Sequence, residues 1–387
     1  MSESESESSD SFDQDLIGEV LNKKYLLITP IGSGTFATVW LAMTLDTHKF
    51  YAIKIQNWED FEDGVDEVEI LKKLKKSNSK YINTIVDHFN YEVDDGICVC
   101  MVFELLVGSV YDIMKCPKYN DGLPLDIVKS IVYQLLHGMK IINEKYHIIH
   151  TDIKPENLLI VGKNNNHDEI CQKVKNNVEL MKSIKKNKQN YKQIKDIICN
   201  MDFTDIKEKY SINNLFEFGK DVTIKLSDFG TYKDIDHQYF DIQTRYYRAP
   251  EIILGYSYNS SCDLWSVGCL IYELLSGQTL FDPDKNKRIS RDRYHIHNMI
   301  CILGKIPQYL IDKSKNKSLF FTHNNLLKGI DNINYIGLDR LINDTLSIKL
   351  DKTQIVLTCD LMIRMLNYDP FKRPTIDELL NHKWFVY

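Results

Sequence analysis

The feature that constrains this chain most is a polar loop at residues 149–157, which reads Ile-His-Thr-Asp-Ile-Lys-Pro-Glu-Asn. It places a carboxylate at Asp152, an ammonium at Lys154 and an amide at Asn157. Transfer of a phosphoryl group to a hydroxyl requires positioning and charge neutralisation more than covalent chemistry from the protein. Asp152 can accept the proton of the attacking hydroxyl, Lys154 can offset the charge on the moving group, and Asn157 can hold a magnesium ion. The loop therefore predicts a phosphoryl-transfer site.

A glycine-containing segment lies upstream of this loop. It follows an apolar run at 25–28 that predicts a strand, and its two glycines would let the backbone fold tightly over phosphate groups. Such a segment is weak evidence alone, because an ordinary β-turn has a similar composition. We assign the whole segment to nucleotide binding: Ile31, Gly32, Ser33, Gly34, Thr35, Phe36, Ala37, Thr38 and Val39.

A lysine interrupts the next apolar run. Lys54 lies inside the predicted strand at 50–55, and an ammonium in such a strand is costly to bury without an anionic partner. The helix predicted at 65–74 offers Glu67 and Glu69, which are about 200° apart around a helix and cannot both face Lys54. We expect Glu67 to be the partner, with Glu69 as the alternative.

A second acidic motif follows a predicted strand at 222–226. Residues 227–230 read Ser-Asp-Phe-Gly, and Asp228 is a suitable ligand for a magnesium ion that bridges nucleotide phosphates. Asp228 and Asn157 are therefore the predicted metal ligands.

These motifs, in this order, resemble those of eukaryotic-type serine/threonine protein kinases from about residue 21 to the end. Residues 150–157, 241–245 and 304–338 are similar to the SR-protein kinase family of the CMGC group, whereas residues 246–251 also resemble the DYRK and CLK families. The resemblance implies an α+β, bilobal protein kinase fold with a small β-rich N-lobe and a larger helical C-lobe. It implies ATP and Mg²⁺ as cofactors and protein substrates, Arg/Ser-rich ones in the SR-type case.

The resemblance also assigns roles to individual residues. Lys54, Glu67, Asp152 and Lys154 form the catalytic set. The adenine ring needs apolar faces above and below it, which Val39, Ala52 and Leu159 would supply.

The backbone of Glu104 and Leu106 should meet the adenine edge. Arg373 should form a structural ion pair with Glu251.

The same resemblance suggests how the activity is regulated. Thr151 stands where most kinases carry an arginine that a loop phosphate neutralises. Asp241 precedes Arg245 and Arg248 by four and seven residues, the spacing at which DYRK-like relatives place a phosphotyrosine. We therefore expect Asp241 to act as a built-in acidic substitute, so that the enzyme is active without loop phosphorylation. The alternative is a solvent-exposed aspartate with no regulatory role.

Composition indicates an acidic Ser/Glu-rich, disordered tail at 1–20, and the resemblance implies an N-lobe at 21–104 and a C-lobe at 105–387. The C-lobe contains a spacer at 161–220 and a CMGC-type insert at about 304–350. The spacer holds 12 lysines and 8 acidic residues, and its polarity predicts a largely flexible segment, although isolated apolar residues permit a marginal amphipathic helix. A passive linker and a docking or localisation segment are both compatible with it.

Composition restricts the remaining function classes. The formal net charge is −6, and six acidic residues without a lysine or arginine fall within residues 1–15, so the remainder is neutral and argues against direct nucleic-acid binding. The scattered cysteines lead us to expect a reducing compartment, the cytoplasm or nucleus. The lack of a long apolar run or signal peptide argues against membrane association. We also expect a monomer. The competing class is a pseudokinase scaffold that binds nucleotide without turnover.

Overall fold

The computed structural model describes most of the chain, with gaps at both ends and within several loops. The described residues are 16–34, 36–162, 165–186, 191–209, 222–236, 238, 241–283, 289–330, 333–348 and 350–386. Thr35, one of the predicted nucleotide-binding residues, and residues 1–15 of the acidic tail lie outside them.

The strands concentrate in the first third of the chain. They are β1 (Val20–Leu21), β2 (Tyr25–Ser33), β3 (Ala37–Thr44), β4 (Phe50–Gln56), β5 (Asp87–Val93), β6 (Gly96–Glu104), β7 (Gly108–Ser109), β8 (Ile148–Ile149), β9 (Leu158–Val161), β10 (Thr223–Leu226) and β11 (Lys233–Asp234). β1 to β6 form one antiparallel sheet in the order β1-β2-β3-β4-β6-β5.

The helices dominate the remainder. They are α1 (Phe61–Lys75), α2 (Val110–Met114), α3 (Leu125–Lys140), α4 (Asn165–Asn176), α5 (Val178–Lys186), α6 (Tyr191–Cys199), α7 (Thr204–Lys209), α8 (Pro250–Leu254), α9 (Cys262–Ser276), α10 (Arg291–Leu303), α11 (Gln308–Lys313), α12 (Lys317–Phe320), α13 (Leu338–Thr345), α14 (Lys352–Met365) and α15 (Ile376–Leu380). None of the helices in the described ranges is long and apolar enough to cross a membrane.

The chain falls into two compact units, and the first comprises Met1–Gly108 together with Val161–Glu217. Apolar side chains cover both faces of its sheet. Successive residues of a strand point to opposite sides, so neighbouring residues join different clusters. Tyr25 and Leu27 of β2 enter one apolar cluster, whereas Leu26 and Ile28 enter another.

The described part of the spacer, residues 161–162, 165–186 and 191–209, contributes to the second of these clusters, which corrects the expectation of a largely flexible segment there; residues 163–164, 187–190 and 210–220 lie outside the described ranges. Its described helices α4 to α7 turn apolar side chains onto the sheet, namely Ile170, Val174, Leu180, Ile184, Ile194, Ile198 and Ile206, and Phe203, just before α7, joins the same cluster. Short amphipathic helices are marginal in isolation, but burial against a tertiary surface stabilises them. The structure therefore groups α4 to α7 with the first unit, whereas the sequence places them inside the C-lobe.

The N-terminal boundary also differs from the expected one. Leu16 is buried in the sheet's other cluster and Ile17 packs beside it, so the segment from Leu16 onwards is part of the folded unit.

The second unit comprises Ser109–Ile160 together with Phe218–Tyr387. All residues of α9 are buried, and this central helix packs against α3 and α14. Here β9 pairs with β10, and β8 pairs with β11. The predicted CMGC-type insert contains α11, α12 and α13. A sheet-rich first unit and a helical second unit confirm the expected α+β class.

Candidate active site

The loop at 149–157 gathers its three predicted side chains around one carboxylate. Asp152 forms an ion pair with Lys154, with Oδ2 and Nζ 2.7 Å apart. The Asn157 amide donates to the Asp152 carboxylate and to the Asp152 carbonyl oxygen, both at 2.9 Å. Thr244 belongs to the stretch between Asp228 and Glu251, the activation segment by resemblance to protein kinases. It donates its hydroxyl proton to Asp152 Oδ1 at 2.6 Å, and Lys154 donates to the same hydroxyl at 3.3 Å. Asp152 thus already accepts a hydrogen bond from an alcohol.

The backbone of this loop is held by a buried carboxylate on α9. The N–H groups of His150 and Thr151 donate to the two oxygens of Asp263 at 2.8 and 3.0 Å. Burial raises the pKa of Asp263 to about 7, although these two hydrogen bonds oppose that shift. The bonds allow Thr151 to adopt a left-handed conformation with φ 69°, which is uncommon outside glycine.

Asp228 lies beside this loop through a backbone contact. The N–H of Ser227 donates to the carbonyl of Asn157 at 2.9 Å, and the ring of Phe229 meets His150 edge-on at 4.9 Å. Since the Asn157 Nδ2 is used by Asp152, its Oδ1 is the atom suited to a metal. An amide oxygen and a carboxylate are ligands that Mg²⁺ prefers, so Asn157 and Asp228 fit this ion.

The first unit holds the other half of the predicted catalytic set. Lys54 of β4 places its Nζ 2.8 Å from Oε2 of Glu67, which is buried on α1. The predicted choice of Glu67 over Glu69 is confirmed. β2 carries residues 31–33 of the nucleotide-binding segment and β3 carries residues 37–39, and Phe36 between the two strands is exposed.

The predicted adenine-binding residues are divided between the two units. Ala52, Glu104 and Leu106 lie in the first unit, whereas Leu159 lies on β9 in the second. Ala52 of β4 pairs with Phe103 of β6. Ala52 therefore lies on the strand next to β6, which ends at Glu104.

Comparison with known proteins identifies the family. The model of the protein kinase domain matches residues 25–175 and 199–385. The chain belongs to the protein kinase family. The kinase is 29% identical over 391 residues to the serine/threonine-protein kinase SRPK of Physarum polycephalum, which covers 96% of this chain and 88% of that protein. It is 31% identical over 377 residues to the serine/threonine-protein kinase AFC3 of Arabidopsis thaliana, with 94% and 82% covered.

A relative from a virus matches over a similar share of both chains. A putative serine/threonine-protein kinase of Acanthamoeba polyphaga mimivirus is 28% identical over 479 residues, covering 95% of this chain and 88% of that protein. The expected bilobal kinase fold and the CMGC resemblance are confirmed, and the chain is a serine/threonine protein kinase.

In this kinase the residue that replaces the usual arginine bonds to the activation segment. The hydroxyl of Thr151 donates to the carbonyl of Thr231 at 2.7 Å and lies 3.1 Å from the Thr231 hydroxyl. Thr151 is buried, so a neutral side chain stands where a buried positive charge would need compensation.

The two arginines of the activation segment use different acidic partners, which corrects the expectation that Asp241 serves both. Asp241 Oδ1 lies 3.4 Å from Arg248, but the Asp241 side chain is 97% exposed. Arg245 instead forms an ion pair of 2.5 Å with Asp292 of α10. Asp292 lies 47 residues from Arg245 in the chain, so the four-residue spacing from Asp241 gave no indication of it.

The predicted ion pair of Glu251 and Arg373 is confirmed. Two parallel hydrogen bonds of 2.6 and 2.7 Å join the guanidinium to the carboxylate, and both side chains are completely buried. The Arg373 guanidinium also donates to the carbonyls of Asn367 and Ser261, each at 2.9 Å. These contacts tie the end of the activation segment to the C-terminal part of the second unit.

Two residues of the site were not anticipated from the sequence. Thr244 contacts the loop at 149–157, and Gln243 before it is buried, with φ 69°. The Gln243 amide donates to Cys262 O and Ser266 Oγ, both at 2.9 Å, and accepts from the Ala249 N–H at 2.9 Å. Their position shortly before Pro250 and Glu251 was the available signal, but only the fold reveals the contacts.

Proposed function

We propose that this kinase transfers the γ-phosphate of ATP to serine and threonine hydroxyls of protein substrates, with Asp152 as the group that accepts the hydroxyl proton. The observation that carries this proposal is the 2.6 Å hydrogen bond from the Thr244 hydroxyl to Asp152. A carboxylate within this distance of an alcohol satisfies the reach required of a general base.

Lys154 and a magnesium ion held by the metal ligands would stabilise the negative charge of the transferred group and the phosphates. Lys154 lies 2.7 Å from Asp152, where its ammonium can stabilise charge that develops on the transferred group. Asn157 and Asp228 would hold Mg²⁺, which neutralises the phosphates when bound.

The first unit would bind the nucleotide. Lys54, held by Glu67 at 2.8 Å, is suited to contact the α- and β-phosphates. The segment from Ile31 to Val39 would cover the phosphates, and Val39 and Ala52 would lie against the base.

The activation segment supports activity without phosphorylation. Thr151 introduces no charge, and Arg245 and Arg248 each have an acidic side chain nearby in Asp292 and Asp241. A phosphate on this segment would therefore find positive charge that is already compensated.

Arg/Ser-rich proteins are the proposed substrate class, as the SR-protein-kinase-like motifs suggest. The alternative is a dual-specificity kinase like those of the DYRK and CLK families. The dual specificity protein kinase CLK4 of Homo sapiens is 29% identical to this chain in a match that covers 95% of it. The nine cysteines all lie within the described residues and form no disulfide with one another, which suits a reducing compartment such as the cytoplasm or nucleus.

Phosphate transfer from labelled ATP with Mg²⁺ tests this proposal. An Arg-Ser repeat peptide, a proline-directed peptide and a generic basic protein would be compared, each with untreated and phosphatase-treated kinase. Selective labelling of the Arg-Ser peptide by both preparations is the expected result. Equal labelling of all three substrates would contradict the substrate class, and activity lost after phosphatase treatment would contradict phosphorylation-independent activation.

A further inference from the structure

Two helices of the spacer lie where the kinase family model has no counterpart. Residues 176–198 separate the two matched segments and contain α5 and nearly all of α6. Nevertheless Leu180 and Ile194 are completely buried, and Ile184 and Ile198 are 4% and 1% exposed. These additional helices therefore contribute to the core of the first unit.

They pack on the face of the sheet that carries the proposed nucleotide-binding side chains. Leu41 of β3 belongs to their apolar cluster and pairs directly with Ala52 of β4. Directly opposed residues in an antiparallel pair point to the same side. Val39, two residues from Leu41 along the strand, pairs with Lys54 and shares this side.

The cluster reaches two positions next to the proposed nucleotide contacts. Ile31 begins the glycine-containing segment, and Leu105 lies between Glu104 and Leu106. Both are partly buried and pack against the cluster that includes the α5 and α6 side chains.

The helix α6 is also fixed to the segment that leads into β1. Gly18 has φ 78°, and a Cβ atom there would lie 2.8 Å from the Lys195 Cα, so the two backbones are in close contact. The Lys195 ammonium lies 2.7 Å from the Glu19 carboxylate. α6 is thus held between this segment and the sheet.

We propose that α5 and α6 position Ile31 and Leu105 and thereby set the affinity of the kinase for nucleotide. Leu180 and Ile194 are positioning residues in this proposal, because they act through the cluster and not through a contact with the nucleotide. The inference rests on the proposed binding of ATP by the first unit. It assigns to the spacer a part that shapes the nucleotide site, in place of the passive linker or docking segment with which its composition is compatible.

The test compares full-length kinase with the variants Leu180→Ala and Ile194→Ala, and with Val178→Ala as the matched control. Val178 lies on α5 with Leu180 but is 63% exposed. The readouts are the Kd for a fluorescent ATP analogue with Mg²⁺, the KM values for ATP and for peptide, and the melting temperature. The two buried variants should raise the nucleotide Kd and the KM for ATP about threefold to tenfold, with kcat and the peptide KM within about twofold. Val178→Ala should match the wild type.

A lowered melting temperature with an unchanged nucleotide Kd in the folded protein would overturn the proposal, because it would reduce the helices to a purely structural role. If the alanine variants do not fold, Ile194→Val removes a single methylene and provides the same comparison: a raised Kd supports the proposal and an unchanged Kd overturns it. If the wild-type kinase binds no ATP analogue, the proposed function itself is refuted. If the wild type binds the analogue and the variants bind it with the same Kd, only the role of the helices is refuted.

Discussion

Removal of Arg373 is expected to destabilise the second unit strongly, because Glu251 would remain buried without a counter-charge. Both side chains are completely buried and joined by two hydrogen bonds. Breaking a buried, hydrogen-bonded ion pair by removing one partner costs about 3–5 kcal/mol. In a unit of this size that corresponds to a fall of roughly 6–20 °C in melting temperature. The change is Arg373→Met, which keeps most of the side-chain volume.

The assay is thermal unfolding followed by circular dichroism, with Arg340→Met as the matched control. Arg340 forms a pair with Asp344 at 3.4 Å, but the two side chains are 73% and 59% exposed, so its loss should cost at most about 0.5 kcal/mol. The double variant Glu251→Met/Arg373→Met should be more stable than Arg373→Met alone, since it leaves no unpaired buried charge. A similar, small shift for Arg373→Met and Arg340→Met would refute the reasoning.

Two further predictions concern hydrogen bonds near the activation segment. Thr244→Val should lower kcat about tenfold with little change in the KM for ATP, because it removes the hydroxyl that positions Asp152 and Lys154. Thr244→Ser keeps the hydroxyl and should retain activity. Steady-state kinetics on both variants test this prediction, and an equal loss of kcat in both would contradict it. Burial raises the pKa of Glu273 from 4.5 to about 7, so the stability of wild type relative to Glu273→Gln should be greatest below pH 4.5 and decline by up to about 3 kcal/mol as the pH rises through 7. Urea unfolding of both proteins at pH 5 and pH 8 measures this difference, and a pH-independent difference would show that the Glu273 carboxyl titrates normally.

Local sequence was enough to predict that the polar side chains of the loop at 149–157 lie together and that Lys54 pairs with Glu67. Asp152, Lys154 and Asn157 lie within one short loop, and their contacts follow from that proximity. Helix geometry allowed only one of two glutamates to face Lys54, so the choice of Glu67 needed no tertiary information beyond an adjacent strand and helix.

The remaining features depended on contacts between distant parts of the chain. The spacer helices bury Leu180 and Ile194 against a sheet more than a hundred residues earlier, and their polar surroundings concealed that partner. Arg245 likewise pairs with Asp292, which no local spacing indicated. Composition reports how much apolar surface a segment has, but not whether another element is placed to cover it.

The most direct test of the central claim is a comparison of phosphate transfer from labelled ATP by wild-type kinase and by Asp152→Asn, with nucleotide binding measured on both. We expect equal binding of nucleotide and a loss of transfer of roughly 10²–10⁴-fold in the variant, since the amide keeps the shape of the side chain but cannot accept the hydroxyl proton. Transfer at the wild-type rate by Asp152→Asn would contradict Asp152 as the catalytic base. Nucleotide binding without transfer by the wild type would contradict the claim that this site performs phosphoryl transfer.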